Sequence, residues 1–220
     1  MRSEGSSKGP FTKENGRPHL VRCAVAYLDL LGFRAEMERA YRTGTAEALL
    51  EKLDGALTPA MAYLDGNDTL GGGHPLWQLK AFTDNIVIGF PAGEPDAEGE
   101  LGHLMFSIAR FQLEMIRKGF FVRGGLAVGG LYMDDHIVFG DALIEAYYAE
   151  STAARDPRVV LAPSAVEAVR YSVRAYGGVE HSPHDRVLLR DADGQIFLSY
   201  LDVTVASDDP DVPPDRQAVR

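Results

Sequence analysis

The chain has 220 residues, 45% of them hydrophobic and 25% charged, with a formal net charge of −10. That size and balance fit one soluble globular domain of ordinary dimensions, and no apolar run approaches the roughly 20 residues that span a bilayer. The acidic excess argues against general nucleic-acid binding, which needs clustered Lys and Arg, yet leaves room for a nucleotide arriving with its own metal ions.

Residues 1–17 are rich in Gly, Ser, Lys and Glu without periodicity, and read as a mobile tail. They lack the apolar core of a signal peptide, so a cytoplasmic location is expected. The first strand pattern runs from Val21 and ends at Asp29, after which Gly32 allows a tight turn into a helix beginning near Phe33. Cys23, the single cysteine, lies within this strand and is expected to be a small buried hydrophobe in a reducing compartment. Helical spacing continues through Met37, Ala40 and Tyr41, then Leu49, Leu50 and Leu53. The Gly-rich stretch Asp65–Gly73 reads as a loop without the Gly-Lys-Ser ending of a Walker-type phosphate loop.

Leu76–Phe90 predicts a hairpin with Asp84 near its tip. A long amphipathic helix follows, with Leu101, Leu104, Met105, Ile108, Phe111 and Met115 on one face. Phe120–Phe139 predicts a second hairpin turning at Met133–Asp135, and Ala142–Ala154 a helix. A short strand over Arg158–Ala162 leads into a helix begun by Pro163 and Ser164, and Val187–Leu201 predicts a hairpin turning at Asp193 and Gly194. Residues 207–220 read as a second tail, leaving one domain over 18–206. The pairing of strands implies an α+β fold, one mixed and mostly antiparallel sheet with helices packed on it.

Asp29 and Asp84 each interrupt a segment otherwise built to be a buried strand. A carboxylate among such neighbours costs several kcal/mol unless it is paired or holds a cation. If the two segments lie side by side their ends meet at one sheet edge, where two converging carboxylates favour a divalent ion between them. Two other constellations carry less. His181, His184 and Asp185 have ligand-like residue types, but Pro183 and the absence of Cys read as an exposed loop, and His136 follows a turn and reads as solvated. Gly124, Gly125, Gly129 and Gly130 are not followed by the helix that a dinucleotide fingerprint needs.

Four motifs in series resemble class III nucleotide cyclases: Asp29-Leu-Leu-Gly-Phe33, Lys80-Ala-Phe-Thr-Asp84, Val122-Arg-Gly-Gly-Leu-Ala-Val-Gly-Gly130 and Phe139-Gly-Asp-Ala-Leu-Ile-Glu-Ala-Tyr-Tyr-Ala-Glu-Ser151. More narrowly, the chain looks like the pyrimidine cyclases of Pycsar anti-phage systems, through the same segments and Asp193-Gly-Gln-Ile-Phe-Leu-Ser-Tyr-Leu201. The resemblance covers roughly residues 20–201. It implies a class III cyclase-like (ferredoxin-like) fold and a uridylate cyclase that makes cyclic UMP from UTP. Cyclic CMP from CTP, or a non-catalytic nucleotide-sensing homologue, stands as the alternative. It further implies two divalent ions (Mn²⁺ or Mg²⁺), a homodimer with composite sites, and an effector activated by the product without required direct contact.

By the same resemblance, Asp29 and Asp84 are the shared metal ligands, with the Leu30 carbonyl a further one. Backbone N–H groups of Leu31, Gly32, Phe33 and Arg34 would receive the triphosphate, and Arg123 a phosphate. Lys80, an all-donor ammonium, would read the base from the other subunit, favouring uracil O4 slightly over O2 and N3 of cytosine. Where purine cyclases carry a ribose-orienting Asn, a transition-state Arg and an adenine-reading acid, this chain has Ile144, Tyr148 and Ile137. None of these can do the original work, which speaks against adenylate cyclase activity. Glu145, Tyr147 and Tyr148 are candidate pocket walls, and Arg190 a candidate replacement cation.

Overall fold

The computed structural model describes residue 11, residues 16–64, 78–93, 98–178, 181–182, 184 and 187–202. The Gly-rich loop and most of both predicted tails lie outside these residues. In chain order the elements are β1 (Val21–Leu30), α1 (Phe33–Thr43), α2 (Ala46–Met61), β2 (Gln78–Phe82), β3 (Asn85–Pro91), α3 (Glu98–Arg117) and β4 (Val122–Met133). After these come β5 (Val138–Phe139), α4 (Asp141–Ala153), β6 (Val159–Leu161), α5 (Pro163–Ala175), β7 (Leu188–Arg190) and β8 (Ile196–Leu198).

The strands form one sheet in the order β2-β3-β1-β4-β6-β8-β7, with β5 paired to β4 off that path. The β4–β6 pair is parallel and the others are antiparallel, so the expected mixed sheet is found. The expected hairpins form at β2–β3, β4–β5 and β7–β8. One helical stretch differs: Gly44, at φ 69°, ends α1, and α2 starts afresh after Thr45. A left-handed glycine is the usual helix stop. Tyr41 and Leu50, part of the apolar spacing, are exposed.

β1 is buried on both faces because α-helices cover both. Ala24, Ala26, Leu28 and Leu30 join a core with α2, α3 and α5, while Cys23 and Val25 face a second core with Ala142 and Ala146 of α4. Phe11, within the predicted N-terminal tail, is buried in that second core. The period of two along a strand therefore puts Tyr27 and Asp29 on the α4 face. Gly125 of β4 lets α4 come close: a Cβ there would lie 2.0 Å from the Ala146 carbonyl oxygen. The α4 side chains Ala142, Ala146 and Glu150, four residues apart, are buried together.

Candidate active site

The site lies where β1, β3 and β4 end side by side. Asp29 is opposite Asn85 on β3 and opposite Arg123 on β4, so all three side chains share the α4 face. Asp84 stands one residue before Asn85, and its carbonyl accepts from Leu30 N–H at 3.0 Å. Asp84 Oδ1 accepts from the Thr83 hydroxyl at 2.8 Å and from Asn85 Nδ2 at 3.0 Å. The Tyr27 hydroxyl donates to Asn85 Oδ1, linking the two aspartate segments through one amide. Thr83 stands where the resembling motif has Gly and holds a left-handed φ of 54°. A β-branched residue there stores about 1–3 kcal/mol of strain, a common mark of a functional turn.

Arg123 Nε donates to Asp29 Oδ2 at 2.8 Å, and Glu150 Oε1 from α4 lies 2.9 Å from the same nitrogen. Burial pulls the guanidinium pKa down, but the Asp29 hydrogen bond and the charges of Glu150 and Asp29 prevail and raise it. Burial pushes the Glu150 carboxyl up, with Arg123 opposing and Asp29 adding to the rise. The Tyr27 phenol is pushed up to about 12 by burial first, then by the negative charges of Glu150, Asp29 and Asp84. Tyr27, Asn85 and Glu150 thus belong to the same polar cluster, although sequence reasoning passed over them. Two positions before Asp29 on an alternating strand is the signal that would have found Tyr27.

The remaining expected residues fall into two groups. Gly32 precedes α1 at φ 77° with no side-chain cap, which leaves the first-turn N–H groups of Phe33 and Arg34 without helix partners. Lys80 is opposite Val87, which in turn is opposite Tyr27, placing it two strands from Asp29 on the same face. Tyr148 and Ile144 are exposed on α4, and Tyr147 packs edge-on against Tyr27, ring centres 5.4 Å apart.

Three expectations meet a different arrangement. The Leu31 N–H is committed to the Phe121 carbonyl at 2.8 Å, so it is no phosphate donor. Glu145 Oε1 accepts from Ser164 N–H at 3.0 Å, which ties its carboxylate to the start of α5. Arg190 lies on β7, four strands beyond β1, a separation of about 19 Å at ordinary strand spacing. In addition, His184 is buried rather than in an exposed loop, its Nδ1 3.1 Å from the Ser182 hydroxyl.

The residues fit divalent ions of the hard, oxygen-seeking kind. Among the described residues no group of three or more His, Cys, Asp or Glu gathers as a metal cage. Two carboxylates at a strand end suit Mg²⁺ or Mn²⁺, whose remaining ligands are commonly water and substrate phosphate. The Arg123 guanidinium, held through Nε against Asp29 and Glu150, makes no hydrogen bond from its Nη groups among the described residues and adds a cation beside Asp29. Ile144, Tyr147 and Tyr148 are exposed on α4, and Ile137 and Phe139 are exposed around β5, where Phe139 pairs with Tyr132 at the far end of β4 from Arg123. A cavity of about 370 Å³ lies between His19, Leu20, Tyr132, Ile137 and Phe139. No helix among the described residues is long and apolar enough to cross a membrane.

Neither protein-family models nor curated proteins match the chain. Solved structures do. The adenylyl cyclase CyaB from P. aeruginosa matches with a TM-score of 0.53 at 13% identity, over 82% of this chain and 94% of that one. The catalytic core of a rhodopsin-guanylyl cyclase with converted specificity, in complex with ATPalphaS, gives 0.53 at 14% identity, over 82% and 96%. A class III adenylyl cyclase-like ATP-binding protein from Pseudomonas aeruginosa gives 0.54 at 12% identity, over 85% of this chain and 40% of that one. The chain has the class III cyclase fold, as expected from its motifs.

Proposed function

We propose that this chain is a pyrimidine nucleotide cyclase converting UTP to 3′,5′-cyclic UMP and pyrophosphate, the product serving as a second messenger in anti-phage defence. The observation that carries the reading is the convergence of Asp29 and Asp84 at one end of paired strands, beside the Arg123 guanidinium, in a cyclase fold. Two divalent ions, Mn²⁺ or Mg²⁺, would be held by Asp29 and Asp84 with the Leu30 carbonyl. When bound they supply a lowered 3′-hydroxyl pKa and neutralise charge on the leaving pyrophosphate.

The chain's own groups do the rest. First-turn N–H groups of α1, from Phe33 and Arg34, receive phosphate oxygens at the positive end of the helix. The Arg123 Nη groups add a cation to the same triphosphate. Lys80 donates to uracil O4, and Tyr148 lines the pocket. The exposed apolar side chains of β5 and α4 pair with those of a second copy, so that Lys80 completes the partner's site and two symmetric sites result. The chain works in the cytoplasm and acts on its effector through the product.

A second reading, a non-catalytic nucleotide sensor, is favoured by one observation: Ile144 and Tyr148 cannot orient ribose or neutralise a transition state, and Arg190 lies too far off to compensate. Incubation with each of the four nucleoside triphosphates and Mn²⁺ or Mg²⁺, with products identified by mass, decides. Cyclic UMP is expected from the parent chain and none from Asp84→Ala. Cyclic CMP would shift the assignment to CTP, a preference for ATP would overturn the base reading, and tight binding without product would establish the sensor.

A further inference from the structure

The Nε of Arg123 carries one hydrogen, yet two carboxylate oxygens crowd it. The hydrogen is directed at Asp29 Oδ2, 2.8 Å away. Glu150 Oε1, at 2.9 Å, takes part in the ion pair but receives no hydrogen bond among the described residues. Glu150 is only 3% exposed, on the α4 face that Gly125 admits close to the sheet, so water does not replace that missing hydrogen. Buried carboxylate oxygens normally accept hydrogen bonds. This one is an acceptor held in reserve beside a donor that is engaged elsewhere.

We propose that Arg123 is a two-position guard on the metal site: its Nε–H covers Asp29 until a cation arrives, then passes to Glu150. The inference rests on the reading of Asp29 as a metal ligand and adds a control element to it. A guanidinium bonded to Asp29 competes with any cation for that carboxylate. Displaced without a partner, it would leave a half-buried positive charge facing the cation. Glu150 removes that difficulty, because a small turn of the same N–H restores a charge-assisted bond and leaves a neutral pair next to the filled site. Glu150 is therefore a positioning residue, acting on Asp29 only through Arg123.

The test is a titration of the cyclase chain, labelled with ¹⁵N-arginine, with Mg²⁺ alone, following the Arg123 Nε–H resonance assigned by its loss in Arg123→Lys. In the parent chain the resonance is expected to shift on saturation and to stay protected from solvent exchange. In Glu150→Gln it should lose that protection when Mg²⁺ binds. Mn²⁺ affinity, read from water-proton relaxation, should move in opposite directions, about tenfold tighter in Arg123→Met and several-fold weaker in Glu150→Gln. The Glu150→Gln effect should shrink by at least half in the Arg123→Met background. A resonance that does not respond to Mg²⁺, or a Glu150→Gln effect of equal size in both backgrounds, would overturn the guard while leaving the metal site standing. Absence of any Mg²⁺ or Mn²⁺ binding that Asp84→Ala removes would overturn both.

Discussion

Two arginines in this fold each sit between two carboxylates, and they are built oppositely. Arg158, at the start of β6, is 5% exposed and gives a separate hydrogen to each acceptor around it. Its Nη1 donates to Asp191 at 2.5 Å, while Nη2 donates to Asp193 and, at 2.9 Å, to the Ala153 carbonyl that ends α4. Its Nε–H has no acceptor among the described residues. Arg123 has the reverse shortage: at its Nε two carboxylates compete for one hydrogen. The first cluster, with its acidic partners half in water, is a strut tying the β7–β8 turn to α4. The second, with Glu150 sealed against the sheet, holds charge that folding alone would not select.

If that contrast is sound, substitutions in the two clusters should separate activity from stability. The largest effect is expected from Asp29→Ala, which should bring nucleotide turnover below detection while melting changes little, since the Arg123 Nε–H can turn to Glu150. A steep drop in melting temperature would mean that Asp29 is a strut as well. Next, Arg158→Met should destabilise the chain by about 2 kcal/mol through lost charge-assisted hydrogen bonds, or about 4–8 °C in melting temperature. Turnover per folded molecule should be kept. Loss of activity in the folded variant would break the division.

The sheet and the β7–β8 turn were largely legible in the sequence, because alternation and turn chemistry are local signals, while the Arg158 ion pairs across that turn were not. Asp193 and Gly194 announced the β7–β8 turn, and the alternation of β1 placed Asp29 at a strand end. Asp29 and Asp84 stood out because charges inside apolar strands are costly and therefore conspicuous, whereas Arg123 was picked out only by the resemblance to the cyclase motif. Glu150 was not, since a glutamate near a helix end reads as a solvated residue. Its burial depends on how near α4 comes to β4, which is set by Gly125 beneath Ala146. Small residues facing each other on strand and helix are the signal that would have exposed it, one turn beyond Ala146. Arg190 failed for another reason. Hairpin pairing tells which strands touch, but not that β8 and β7 continue the sheet away from β1. Glu145 likewise looked like a pocket residue until α5 began beside it.

The smallest expected effect is the sharpest, because the two clusters should respond to acid with opposite signs. Arg158 holds the Asp193 carboxyl below its ordinary 3.8, mainly through its hydrogen bond. A lowered folded pKa contributes stability that is present above the unfolded value and lost as pH falls through the folded one. The deficit of Arg158→Met relative to the parent should therefore be largest near pH 7 and narrow below about pH 4. Burial raises the Glu150 carboxyl above its ordinary 4.5. Ionisation of a group whose folded pKa is raised opposes folding, and this penalty is present at neutral pH and disappears as pH falls below the unfolded value. In metal-free buffer, Glu150→Gln should thus be as stable as the parent or slightly more so at pH 7, by less than about 1 kcal/mol. That margin should close on acidification. Urea unfolding of the parent and both variants between pH 3 and pH 7 measures the two slopes. Parallel slopes would mean that Glu150 and Arg158 both serve the fold alone, and the distinction between strut and guard would be lost.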